Sequence, residues 1–161
     1  MKKYIKIIFN FIMTIVVIIV LLFALLNFFS GPEKKGLFGY KGFIVLSDSM
    51  KPSFEAGDYI IDKMVDLKTI QVGDVVSYYD ESDQIVTHRV VEITPEGYVL
   101  QGDGNEVTDT TFVTTENYIG QQTYRISKLG TIMLKLSHPL ALVGISLLFL
   151  LMLIYQKFRG H

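Results

Sequence analysis

The chain contains no cysteine among its 161 residues. That one absence removes a thiol nucleophile, a disulfide framework and thiolate metal sites together. Acidic residues are missing from both ends: all 16 lie between Glu33 and Glu116, while the terminal stretches MKKYIK and QKFRGH carry five Lys or Arg. There is no repeat, low-complexity segment, helix-turn-helix pattern or basic patch, so no nucleic-acid partner is expected. Histidine is scarce as well. His138 abuts an apolar run and His161 is the last residue, which leaves His88 alone in the body of the chain. With no second His or Cys beside it, His88 cannot complete a metal ligand set, and neither a metal nor a cofactor is expected.

Apolar residues are abundant and unevenly spread: they make up 50% of the chain, high for a soluble protein. The run from Tyr4 to Phe29 has the length of about 20 apolar residues that a helix needs to cross the bilayer. A second run, from Pro139 to Tyr155, lies near the lower limit for a span of about 17 residues. A cleavable leader would have an apolar core of only about 7 to 15 residues followed by an A-x-A-like site. The first run is longer, and its exit, Asn-Phe-Phe-Ser-Gly-Pro, has no such site. It therefore reads as a retained anchor. Between Gly31 and His138 there are ten Lys or Arg against the 16 acids, a net −6. By the positive-inside tendency both ends belong in the cytoplasm and the middle outside. The expected organisation is an anchor at 4–29, an external domain at 31–138 and a second transmembrane helix at 139–155.

The middle reads as strands. After a Gly/Pro/Lys-rich link, GPEKKGLFGYKG, come FIVL (43–46), DYIIDKMV (58–65), DVVSYYD (74–80), IVTHRVVEI (85–93) and GYVLQG (97–102). These stretches are short, rich in β-branched or aromatic residues, and bounded by turn formers. DESDQ at 80–84 and TPEG at 94–97 suit turns, the latter a tight hairpin. No helix-period stretch occurs between Gly31 and Thr123, so the external part is expected to be β-rich.

Three stretches could carry chemistry: SDSMKP from Ser47, THRVV from Thr87 and GDGNEVTD from Gly102. Acyl transfer needs a hydroxyl, a base within reach, a group that orients the base, and donors for the developing oxyanion. Ser49, placed just past a strand and three residues before Pro52, is a candidate hydroxyl. His88 is a candidate base, since a neutral imidazole is suited to proton transfer near neutral pH. Asp103 or Asp109 could hold the second ring nitrogen. Each has a plainer reading: a turn serine bonded to its own backbone, a packed strand histidine, and loop aspartates beside glycine. DGNEVTD also offers several oxygens to calcium but lacks the EF-hand spacing.

Order and spacing carry more than any one residue. From Leu46 to Asp109 the chain resembles type I signal peptidases. SDSMKP resembles that family's serine box, EAGDYIIDK (55–63) the strand after it, VGDVVSYY (72–79) its G-D-V/I-V segment, THRVVEI (87–93) its base box, and GDGNEVTD its G-D-N-N-x-x-x-D segment. The common bacterial form has a lysine immediately before the arginine of the base box. Here His88 precedes Arg89, as in the endoplasmic-reticulum-type, Ser–His branch of eukaryotes, archaea and some Gram-positive bacteria, and no lysine occurs between Lys68 and Lys128. Two positions depart from the pattern: Asp48 stands for the glycine between the serines, and Gly104 for the first asparagine of the turn.

The resemblance implies a mainly β external catalytic domain flanked by N- and C-terminal transmembrane helices, in the cell membrane with both termini cytoplasmic. It implies a serine endopeptidase that removes signal peptides from exported preproteins. Ser49 is then the nucleophile, His88 the base, Asp109 the better match to the triad aspartate with Asp103 close by, and Ser47 with the Ser49 N–H the oxyanion donors. Apolar Phe43, Val45 and Met50 are expected to line shallow pockets for small residues before the cut. The partners it implies are signal-peptide-bearing preproteins, membrane lipid and protein-export machinery. The rival is a non-catalytic membrane-anchored β module or a scaffold subunit of an export assembly.

Overall fold

The computed structural model describes residues 36–136 and, before them, residues 4, 7, 8, 11, 12, 14, 15, 18, 22, 25 and 28–30. The expected anchor at 4–29 is described only at those scattered positions, which are helical. The second apolar run, 139–155, lies outside the described residues. Among the described residues no helix is long and apolar enough to cross a membrane.

Six strands form one antiparallel sheet: β1 (Tyr40–Ile44), β2 (Tyr59–Lys63), β3 (Val75–Tyr79), β4 (Ile85–Thr94), β5 (Gly97–Gln101) and β6 (Tyr118–Ile126), in the order β1-β2-β6-β3-β4-β5. The last strand of the sheet therefore lies in its middle, joining the β1–β2 pair to the β3–β4–β5 meander. As the TPEG turn predicts, β4 ends at Thr94 and β5 starts at Gly97. DESDQ makes the other hairpin: the Asp80 carboxylate accepts bonds from the Ser82 and Gln84 amides.

Side-chain alternation along β3 sorts the core. Val76 and Tyr78 join Val90, Leu100 and Val113 in one buried cluster, while Val75 joins Met50, Phe54 and Ile60 in another. A short helix, α1 (Leu129–Leu136), follows β6. It is tied to the start of β2 by Lys128 N–H to Asp58 Oδ1 at 2.9 Å and Thr131 N–H to the Gly57 carbonyl at 2.8 Å.

One buried group is electrostatically costly. Asp62 of β2 is fully buried opposite Lys41 of β1. Burial pushes its carboxyl from the usual 3.8 up to about 7, with the Ser77 hydroxyl and the Lys41 charge opposing. Because the folded state holds a proton that the unfolded chain releases, this group's contribution to stability is complete below the ordinary carboxylate range. It is lost as pH rises to about 7. Asp62→Asn should flatten that decline, measured as denaturant midpoints of the full chain in micelles at pH 5 and pH 8. An equal decline in both proteins would exclude Asp62 as its source.

Candidate active site

The strand β1 delivers the chain to Ser47–Ser49 at the sheet margin. The loop that follows is pinned from below: Met50 is 1% exposed and Phe54 5%, both packed with Ile60 and Val75. Side chains of that size contribute about 1.5–3 kcal/mol each when fully buried, enough to fix the loop that carries Ser49. Asp48 adds a cap. Its carboxylate accepts the Ala56 N–H at 2.9 Å and pairs with Lys51, also at 2.9 Å. Aspartate therefore has a local use at the position where the resembled family has glycine.

Two further segments converge on Ser49. In β4, His88 is the cross-strand partner of Val76, so it shares the face of the Val76–Tyr78 core and is buried. After β5 the chain turns at Gly102 and runs back along that strand, with Asp109 N–H on the Leu100 carbonyl at 2.8 Å and Val113 paired with Tyr98. The turn is locked to the serine loop by Gly104 N–H donating to the Ser49 carbonyl at 2.8 Å. Gly102 has no room for a side chain, since a Cβ there would stand 2.5 Å from the same carbonyl.

These segments align four side chains. Ser47 Oγ lies 3.2 Å from Ser49 Oγ, and Ser49 Oγ lies 3.0 Å from His88 Nε2. On the far side of the ring, Nδ1 lies 2.7 and 2.9 Å from the two oxygens of Asp109. The Tyr78 hydroxyl donates to Asp109 Oδ2 at 2.8 Å. An ionised carboxylate can only accept, so Nδ1 carries the proton, and Nε2 is left as a base facing the Ser49 hydroxyl.

Asp103, the other sequence candidate for orienting the imidazole, is placed elsewhere. Its two oxygens take Arg89 Nε at 2.8 Å and Nη2 at 2.7 Å, and Ser53 Oγ also donates to it. The Arg89 bonds hold its carboxyl below the usual carboxylate range. Arg89 Nη1 also donates to the Gly73 carbonyl at 2.7 Å. The pair therefore ties β4 to the 102–109 loop and does not touch the ring.

A cleft of about 670 Å³ opens beside Ser47, Ser49 and His88. Phe43, Val45, Leu46, Ile85 and Val86 line it. Met50 does not. It is sealed in the core because its side chain is what anchors the loop, which corrects the expectation that it faces substrate. Tyr78 and Arg89 have defined places that residue-by-residue reading left unassigned. The available signal for Tyr78 was alternation, which puts it on the face of Val76 and hence of His88.

Hydroxyl, imidazole and carboxylate in this order and spacing have the geometry of the triad used by serine hydrolases. A sequence comparison finds one named relative. Over 111 residues the chain is 37% identical to Signal peptidase I W of Bacillus subtilis (strain 168), a match that covers 66% of this chain and 58% of that protein. No protein-family model matches the chain.

Proposed function

We propose that the chain is a membrane-anchored serine endopeptidase of the type I signal peptidase kind, in its Ser–His branch, removing signal peptides from exported preproteins. The observation that carries this reading is the Ser49–His88–Asp109 array, with both ring nitrogens engaged and the Ser49 hydroxyl at the edge of an apolar cleft. The likeness to a protein named as a signal peptidase supports the substrate class. The 4–29 run supports the anchor, and the basic ends support two cytoplasmic termini.

In the proposed reaction His88 Nε2 takes the Ser49 proton as Oγ attacks the carbonyl carbon before the cut. The oxyanion receives the Ser47 hydroxyl and the Ser49 N–H. The imidazolium then protonates the leaving amine, and water resolves the acyl-enzyme by the reverse path. Substrate can approach as an extended strand: β5 pairs with β4 only from Arg89 onward, so the Ile85–His88 half of β4 has β3 on one side and the cleft on the other. Backbone pairing along such an edge gives affinity, and alternate side chains entering apolar pockets give selectivity. A shallow lining of Phe43, Val45 and Val86 suits the small residues of an A-x-A site.

The test is to place the full chain in a membrane with a preprotein bearing an A-x-A site and to sequence the product's new N-terminus. Cleavage directly after the A-x-A site is expected. Cleavage elsewhere, or none across several preproteins, would count against the assignment. Within the same assay Ser47→Ala should slow turnover by about 10²- to 10³-fold, the usual cost of one oxyanion donor. A rate within twofold of wild type would remove Ser47 from that role.

A further inference from the structure

The serine–histidine chemistry leaves one polar group of the site without a role, the Tyr78 hydroxyl. Tyr78 is 2% exposed. A hydroxyl buried so fully costs its full desolvation if it is left unbonded. Its partner is the carboxylate oxygen that also receives the shorter of the two imidazole contacts: Asp109 Oδ2 lies 2.8 Å from Tyr78 Oη and 2.7 Å from His88 Nδ1. Burial, then the bond to Asp109 and the charge there, push the phenol well above its ordinary range, so it is a donor throughout the working pH range.

Resting on the peptidase reading above, we propose that Tyr78 is a positioning residue for the reaction, its O–H fixing the Asp109 carboxylate so that the imidazole keeps its serine-facing tautomer through turnover. Asp109 stands on a loop between exposed Thr108 and Thr110, and a carboxylate held by the imidazole alone is free to turn about its last torsion. A second donor, arriving from a rigid central strand, removes that freedom. It also draws charge from the carboxylate, so the Nδ1 proton stays on the ring when the imidazolium forms. Asp80 and Asp109 are the charges facing the phenol, and Asp103, paired with Arg89, is a further charge felt by His88. Substituting Tyr78 leaves all of these in place.

Tyr78→Phe tests this in the full chain, with Tyr79→Phe as control, since Tyr79 is outside the array. The expected result is a kcat about 10- to 100-fold lower at unchanged KM, the size of one hydrogen bond to a charged group. In protein labelled with ¹⁵N-histidine, the downfield Nδ1–H resonance of the His88–Asp109 pair should move further downfield. Tyr79→Phe should change none of these. An unmoved resonance, or an unchanged kcat, overturns the proposal even if Tyr78→Phe lowers stability. Should wild type cleave no preprotein while the resonance still responds to Tyr78→Phe, the peptidase reading fails and the Tyr78–Asp109 coupling stands. A resonance that does not respond sinks the coupling itself.

Discussion

Ser49→Ala should reduce preprotein cleavage on the order of 10⁶-fold, and His88→Ala by a similar factor, with the double variant hardly worse than either. The reason is the 3.0 Å contact between Ser49 Oγ and His88 Nε2. In the proposed reaction, loss of the hydroxyl removes the nucleophile, and without the imidazole the hydroxyl keeps its proton and remains a weak nucleophile near neutral pH. The two groups act as one unit, so their losses do not add. Ser49→Ala is the cleaner variant. The bond that ties this loop to the Gly102–Asn105 turn runs from Gly104 N–H to the backbone carbonyl of residue 49, which alanine retains. His88→Ala, by contrast, strips a buried ring from Asp109 and also costs stability. Measuring thermal unfolding of each variant beside the rate separates the two effects. If Ser49→Ala cleaves as fast as wild type while folding normally, the nucleophile is elsewhere and the array is structural. If the double variant falls far below both singles, the two residues act independently.

Much of this arrangement was legible in the sequence, for physical reasons that differ by segment. The strands β2 to β5 came out within about two residues of their bounds because each is a β-branched or aromatic run closed by Gly, Asp or Pro. β1 was displaced. FIVL suggested 43–46, whereas the strand occupies Tyr40–Ile44. Its first half, Tyr-Lys-Gly, has linker composition and becomes a strand only by pairing with Ile61–Lys63. β6 leaves no mark in the local sequence pattern. Its centre, Gly120-Gln121-Gln122-Thr123, has no apolar alternation, yet strands on both sides satisfy its backbone. Local propensity cannot report a strand whose existence is fixed by two distant partners. The same limit applied to the site. Ser49 and His88 could be chosen from residue chemistry and order, but Asp103 and Asp109 lie six positions apart in one Gly-rich segment. What separates them is the path of the chain after β5, which carries Asp103 to Arg89 and Asp109 to the ring.

That separation leads to the second large effect. Asp109→Asn should lower kcat by about 10⁴-fold, the cost of holding a catalytic imidazole in the wrong tautomer. The amide is nearly isosteric with the carboxylate, so the site should keep its shape, and Tyr78 can still donate to the remaining oxygen. Turned toward Nδ1, however, the new NH₂ group donates where the carboxylate accepted. The ring must then accept at Nδ1 and carry its proton on Nε2, which faces Ser49 as a donor and cannot take the serine's proton. Asp103→Asn makes the matching control. It weakens the Arg89 clamp and so loosens the 102–109 loop, but it leaves the ring's own contacts unchanged. Its cost should be about tenfold or less, the scale of a neutral bond replacing a charged one. The ratio of the two variants' kcat values therefore reports which aspartate governs the imidazole. Nearly equal losses would mean that loop rigidity, rather than the tautomer of His88, sets the rate.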